Sequence, residues 1–334
     1  MKAAVLRQLG EPEVLRIEDV PDPIAGPGEA IVRLKAAALN HRDAWIRHGK
    51  YANIKLPIIL GSDGAGEVES VGEKVDPSIV GKPVVIYPLF DWGPDPHAQS
   101  PQFRILGLPD DGTYAQKVKV PAELLHPKPA NLSFEEAAAI PLCALTAYRA
   151  TATRGQVNAS DTVLITGIGG GVATFALQIA LKRGAKVYVT SGSDEKIDHA
   201  RSLGATHGFN YKTQDWVKEM KEYSGGVDVV IDGTGGETID RACDVLKPGG
   251  RLVNYGQTLG TAKNVEVRRI YWKQLTILGS TMGTREEFET VVAMYGSGGL
   301  RPIVDSVFPL AEVAAAHRRM DEAKQFGKIV LRID

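Results

Sequence analysis

The sequence predicts an α/β protein with two parts, a β-rich domain and a domain built on a doubly wound parallel sheet. Three observations predict it. The first 125 residues or so read as short strands broken by Gly and Pro, strands and helices alternate from residue 162 onward, and one strand runs directly into a glycine-rich turn that opens a helix.

Each element follows from its local pattern. Val14–Val20, Ala30–Leu34 and Tyr114–Val120 alternate like half-buried strands, and Val84–Ile86 is a short apolar run. The clusters Pro21-Asp22-Pro23 and Gly26-Pro27-Gly28 separate them as turns, so a partly closed barrel is expected. Ser133-Phe134-Glu135-Glu136 has capping-box spacing ahead of an Ala-rich helical run. Beyond it, strands are expected at Thr162–Thr166, Lys186–Thr190, Val227–Asp232 and Arg251–Tyr255. Helices are expected at Val172–Lys182, Glu195–Leu203 and Glu237–Leu246. This rhythm implies a parallel sheet with helices on both faces.

Composition narrows the function. A chain of 334 residues with 43% hydrophobic and 24% charged residues can bury two ordinary cores. A net charge of −1 lacks the basic field that nucleic acid or an anionic membrane surface requires, so a small-molecule partner is expected. The start, Met1-Lys2-Ala3-Ala4-Val5-Leu6-Arg7, carries no apolar stretch of signal-peptide length, and the most apolar run, Ala137–Tyr148, is too short to span a bilayer. Two cysteines far apart, Cys143 and Cys243, suit a reducing cytoplasm, the expected location.

The glycine-rich turn carries the first chemical signal. Val163-Leu164-Ile165-Thr166 leads into Gly167-Ile168-Gly169-Gly170-Gly171-Val172-Ala173. Glycines let the backbone approach a pyrophosphate, and the helix start supplies free N–H groups and positive dipole, as in a Rossmann-type dinucleotide site. An NAD-specific site also wants a carboxylate at the end of the second strand. Here that strand ends Val189-Thr190-Ser191-Gly192-Ser193, with no acid before Asp194 and with Lys196 close behind. Hydroxyls beside an ammonium suit a 2′-phosphate, so NADPH is the expected cofactor, with Ser191 and Lys196 at its 2′ end. The plainer alternative makes Ser193 a helix cap and Lys196 a solvated charge.

The chain resembles the medium-chain dehydrogenase/reductase superfamily, and within it the zinc-free quinone oxidoreductase-like branch. The resemblance rests on Asn40-His41-Arg42-Asp43, Gly61-Ser62-Asp63-Gly64-Ala65-Gly66 with Val71-Gly72, Gly112-Thr113-Tyr114-Ala115 and Leu145-Thr146-Ala147-Tyr148. It extends to the glycine loop, Leu203-Gly204-Ala205, Lys247-Pro248-Gly249-Gly250 and Gly327-Lys328. It implies a GroES-like catalytic domain over residues 1–143, a Rossmann NADP-binding domain over 144–280, and a return to the catalytic domain over 281–334. Substrate and nicotinamide would meet between the domains. The implied cofactor residues are Thr146, Gly167, Gly169, Gly170, Gly171, Val172, Ser191, Lys196, Tyr211, Gly256 and Lys328. A homodimer or homotetramer is implied, with the apolar strand Leu275–Gly279 extending the sheet across the dimer.

The departures from the zinc-dependent alcohol dehydrogenase branch concern metal. Its first ligand, a cysteine, falls in the Asn40-His41-Arg42-Asp43 motif, its second, a histidine before glutamate, at Ser62-Asp63, and its third near Leu142. The segment matching its four-cysteine lobe, Pro88–Pro109, contains no cysteine. Catalytic zinc needs about three N, S or O ligands, so a zinc-free enzyme is expected. Scattered donors (His41, Asp43, His48, Asp63, His97) leave a residual metal reading.

Without a Lewis acid, reduction of a C=C bond conjugated to a carbonyl is favoured, because the developing charge spreads onto an enolate oxygen that neutral donors can hold. The Asn40 amide, the Tyr51 phenol and backbone N–H groups of the cleft are the candidate donors, and Asp43 more plausibly orients neighbours than transfers protons. Asn40 and Asp43 read equally well as a helix cap. The expected function is NADPH-dependent reduction of a quinone or an α,β-unsaturated aldehyde or ketone. Two alternatives stay open: a zinc-free or weakly metallated alcohol/aldehyde dehydrogenase, and a non-catalytic NADPH-binding protein (sensor, structural or RNA-binding).

Overall fold

The computed structural model describes residues 1–334, which divide into two compact units, Met1–Leu142 with Thr284–Asp334, and Cys143–Gly283.

The first unit is built on a seven-stranded sheet. Its central strand, Glu29–Ala38, pairs antiparallel with Asp63–Val71, with Lys117–Pro121 and with Lys328–Arg332. A strand near the chain end thereby lies beside one near its beginning. Ala36, Ala37 and Ala38 are fully buried where these strands and the helix Phe134–Ala138 converge. A smaller sheet joins Leu15–Asp19, Lys2–Leu6 and Ile58–Ile59. The capping box expected at Ser133 is present, with Ser133 Oγ accepting from Glu136 N–H and the Glu136 carboxylate accepting from Ser133 N–H.

Two details differ from the sequence reading. The strand expected from Tyr114 starts at Lys117, because the Tyr114 N–H donates to the Leu60 carbonyl and its own carbonyl accepts from Ala4. This stretch therefore pairs with the segment around Gly61. The closeness requires glycine: a Cβ on Gly61 would lie 2.5 Å from the Thr113 hydroxyl and the Tyr114 ring. The strand Asp63–Val71 has no matching expectation in the sequence. Its glycines serve contact rather than turning, since a Cβ on Gly66 would stand 2.1 Å from the Arg33 carbonyl oxygen.

The second unit is a six-stranded parallel sheet. In chain order its strands are Thr162–Ile165, Lys186–Ser191, His207–Asn210, Val227–Asp232, Leu246–Asn254 and Thr276–Gly279. In space they run third, second, first, fourth, fifth, sixth. That order reverses direction between the first and fourth strands, and such a switch point opens a crevice at the strands' carboxyl ends. Leu164, Tyr188, Val230 and Leu252 from four strands pack against Trp216, Met220 and Cys243 from the helices to form one apolar core. The third strand and the helix Trp216–Ser224 are additions to the expected elements.

Candidate active site

The glycine loop lies at the switch point. Gly167 and Gly169 take φ of +64° and +123°, the left-handed region that a side chain disfavours, and Gly170 caps the helix Gly171–Lys182. The loop is anchored by Ile168 N–H on the Thr190 carbonyl and by Gly167 N–H on the Thr190 hydroxyl. The first amide to close a helical bond is Thr174, onto Gly170. Those of Gly171, Val172 and Ala173 have no protein acceptor, which is the donor set a pyrophosphate takes at a helix start.

Asp232, at the end of the fourth strand, was not singled out by the sequence, yet it organises the crevice. One carboxylate oxygen accepts from the hydroxyls of Thr166 and Thr234, each at 2.6 Å, and the other from Gly235 N–H and the Asn254 amide. Asn254 in turn donates to the Gly256 carbonyl at 2.8 Å. The ends of the first, fourth and fifth strands are tied by one buried carboxylate, and Gly256 is fixed among them. A Cβ on Gly256 would meet the Gly233 carbonyl oxygen at 2.8 Å, so only glycine fits. Thr146 is buried, its hydroxyl 3.7 Å from Met282 Sδ in the same unit.

At the end of the second strand Ser191 is buried, its hydroxyl accepting from Ser193 N–H, and Ser193 caps the next helix at Lys196 N–H. The cap reading of Ser193 thus holds, with Lys196 in the first turn of the helix Asp194–Ser202. The nearest acid, Asp194, accepts from the Asn210 amide. Tyr211 continues the neighbouring strand, and its hydroxyl lies 2.9 Å from the position of an added Cβ on Gly192. Lys212 Cε lies 2.7 Å from the same point. Lys212 is a cation that the sequence reading missed. It stands 20 residues from Gly192, and the pairing of Ser191 with Asn210 brings the two together.

On the first unit, Asn40 and Asp43 form a capping box at the helix His41–Arg47. Asp43 is fully buried, and one of its oxygens accepts from Asn40 N–H at 2.9 Å and from the Tyr114 hydroxyl at 2.8 Å. Burial pushes the Asp43 carboxyl above the usual carboxylate range, against the opposing pull of Arg42 and these donors. Burial likewise pushes the Tyr114 phenol up, reinforced by the Asp43 charge. Asp43 thereby ties the Asn40 loop to the Tyr114 side chain. Tyr51 is half-buried, with the Arg42 guanidinium 5.3 Å from its ring centre.

Asn40, Ser62, Asp63 and Leu142, the positions matched to metal ligands, come together around cations supplied by the chain. Arg42 donates to Ser62 Oγ at 2.7 Å, and Ser62 donates to the Leu106 carbonyl. Lys328 donates to Asn40 Oδ1 at 2.7 Å and Asp63 Oδ2 at 2.9 Å, while Asp63 Oδ1 accepts from Leu142 N–H. Lys328 is engaged inside this unit and 2% exposed. An ammonium and a guanidinium already satisfy these oxygens, and no group of three or more His, Cys, Asp or Glu side chains assembles into a metal site. These residues do not fit a zinc ion.

Comparison with known proteins agrees with this architecture. A family model described as alcohol dehydrogenase GroES-like domain matches residues 26–130, and one described as zinc-binding dehydrogenase matches residues 171–297. The chain is 36% identical to a zinc-type alcohol dehydrogenase-like protein of Schizosaccharomyces pombe, over 95% of this chain and 94% of that one. It is 30% identical to the quinone oxidoreductase of Pongo abelii, over 99% and 97% of the two chains. A crystal structure described as an NAD-dependent alcohol dehydrogenase superposes with a TM-score of 0.94 at 40% identity, covering both chains completely.

Proposed function

The chain belongs to the medium-chain dehydrogenase/reductase superfamily of NAD(P)-dependent oxidoreductases, and from that premise we propose that it reduces an enone, enal or quinone with NADPH and without zinc. One observation carries the proposal: Asn40 and Asp63 bind the Lys328 ammonium and Ser62 binds the Arg42 guanidinium, so positions matched to the zinc ligands are engaged by the chain's own cations.

The amides of Gly171, Val172 and Ala173 would hold the cofactor's pyrophosphate, with Gly167, Gly169 and Gly170 allowing its approach. Gly256 and Thr146 would border the nicotinamide. Ser191, Lys196, Tyr211 and Lys212 would meet the 2′-phosphate. The reduced nicotinamide supplies the hydride. As hydride adds to the β-carbon, the C=C pair moves toward the carbonyl and its charge settles on oxygen as an enolate. Donors from Asn40 and Tyr51 stabilise that oxygen, and Asp43 keeps the Asn40 loop in place. A proton from water completes the reduction at the α-carbon. The delocalised charge is what makes neutral donors adequate, whereas 1,2-reduction concentrates it on one oxygen.

The second reading, an alcohol or aldehyde dehydrogenase working with little or no metal, is favoured by the 40% identity to a structure described as an NAD-dependent alcohol dehydrogenase. Product analysis separates the two: an enal treated with NADPH yields the saturated aldehyde under the first and the allylic alcohol under the second.

A homodimer formed through the second unit also belongs to this proposal. The last strand of the sheet, Thr276–Gly279, has a neighbour on one side alone, and exposed Val267, Tyr271, Trp272 and Ile277 lie on it and on the helix before it. A second copy pairing antiparallel across a two-fold axis satisfies the open edge and covers the apolar side chains. No helix is long and apolar enough to cross a membrane.

A further inference from the structure

Lys328 is a buried cation whose surroundings follow from sheet register. Ala38 pairs with Val330 on one side and with Asp63 on the other, and Asn40 follows two residues later. The ends of three strands distant in sequence thus bring Lys328, Asp63 and Asn40 to one point. Burying an ammonium is costly unless a counter-charge and further acceptors surround it, and both are present. Asp63 supplies the charge, and its oxygens also take Leu142 N–H and the Asn40 amide, the latter at 3.0 Å. The Thr113 hydroxyl secures the Asp63 backbone carbonyl.

This arrangement does something specific to Asn40. Its Oδ1 accepts from an ammonium and its Nδ2 donates to a carboxylate, so the carboxamide cannot turn over. The positive charge on its oxygen also polarises its N–H groups and makes them stronger donors. We infer that Lys328 is a positioning residue that clamps and polarises the Asn40 carboxamide through Asn40 Oδ1 and Asp63, setting the donor that stabilises the enolate oxygen. The inference rests on the enone-reduction reading for the donor's use, while the clamp itself is a property of the resting protein.

The test uses the full chain. Lys328→Met alone strands the Asp63 charge, so it is paired with Asp63→Asn, which keeps a neutral network of the same shape. The first readout is hydrogen exchange of the Asn40 side-chain amide in a 15N spectrum, identified by its loss in Asn40→Ala. Exchange should be slow in the wild type and faster by ten-fold or more in the Lys328→Met/Asp63→Asn variant, about the effect of losing one charge-assisted bond. The second is kinetics with an enone and NADPH. The double variant should lower kcat about ten- to a hundred-fold with both KM values changed little, and adding Asn40→Ala should cost no more. Lys328→Arg should recover part of the loss. Unchanged amide exchange would overturn the inference, as would a raised KM for NADPH at unchanged kcat, which would make Lys328 a cofactor contact. If exchange accelerates but the wild type reduces no C=C bond, the clamp stands and the enone reading fails.

Discussion

Removing the two lysines at the end of the second strand tests the cofactor assignment in a graded way. Lys196 is half-buried on the first turn of the helix Asp194–Ser202, and Lys212 is exposed, with its chain folded over Gly192 beside the Tyr211 hydroxyl. A charge-assisted hydrogen bond contributes about 1.5–3 kcal/mol, so Lys196→Ala should weaken NADPH about ten- to a hundred-fold. Lys212 is screened by water, so its loss should cost no more than about 1 kcal/mol, a factor of about five. Neither change should alter NADH affinity, because NADH carries no 2′-phosphate. Titration of the reduced cofactors by nicotinamide fluorescence at low and moderate salt measures all four combinations, and the NADPH losses should shrink as salt rises. Equal losses for both cofactors, or tighter binding of NADH by the wild type, would refute the reasoning.

Three further outcomes follow. Purified, untagged protein should hold far less than one zinc per chain by elemental analysis and keep its activity after chelation. Stoichiometric zinc lost together with activity would contradict this. Trp272→Glu with Ile277→Asp should convert a dimer to monomers in sedimentation velocity, because it places charges on the open strand and its apolar neighbour; an unchanged oligomer would place the interface elsewhere. His317 is fully buried with neither ring nitrogen bonded, and burial holds its pKa down at about 3, so it stays neutral in the fold and takes up a proton on unfolding below its ordinary value near 6.5. Its contribution to stability is complete above about pH 6.5 and is lost at about 1.4 kcal/mol per pH unit as pH falls toward 3. His317→Phe should flatten that stretch of the denaturation curve, and an unchanged slope would show that another group titrates.

The parts legible in the sequence are those written in local pattern. The Val163–Thr166 run, the glycines after it and the periodic helix beyond fixed the nucleotide-binding half without any long-range information. The absence of an acid at Ser191 was equally local. What stayed hidden depends on pairing across the chain. Asp63–Val71 does not read as a strand because close approach to its neighbour demands the same glycines that usually mark turns. Lys212 reaches Gly192 through the register of two parallel strands, and Asp232 looks like the polar end of a strand until its five donors from three strand ends are seen. Lys328 lies 288 residues from Asn40, so no local pattern announces their pairing. The capping box at Asn40 and Asp43 is an alternative to catalysis on the sequence alone, and in the fold the Asn40 carboxamide belongs both to that box and to the Lys328–Asp63 network.

The central claim is that the chain places hydride on a carbon conjugated to a carbonyl without help from a metal ion. Its most direct test is the product formed from an α,β-unsaturated aldehyde by chelator-treated protein with NADPH carrying deuterium in the transferred position. The account predicts the saturated aldehyde with deuterium at the β-carbon and the carbonyl intact. Allylic alcohol with deuterium at the carbonyl carbon, or activity that returns only when zinc is restored, would contradict it.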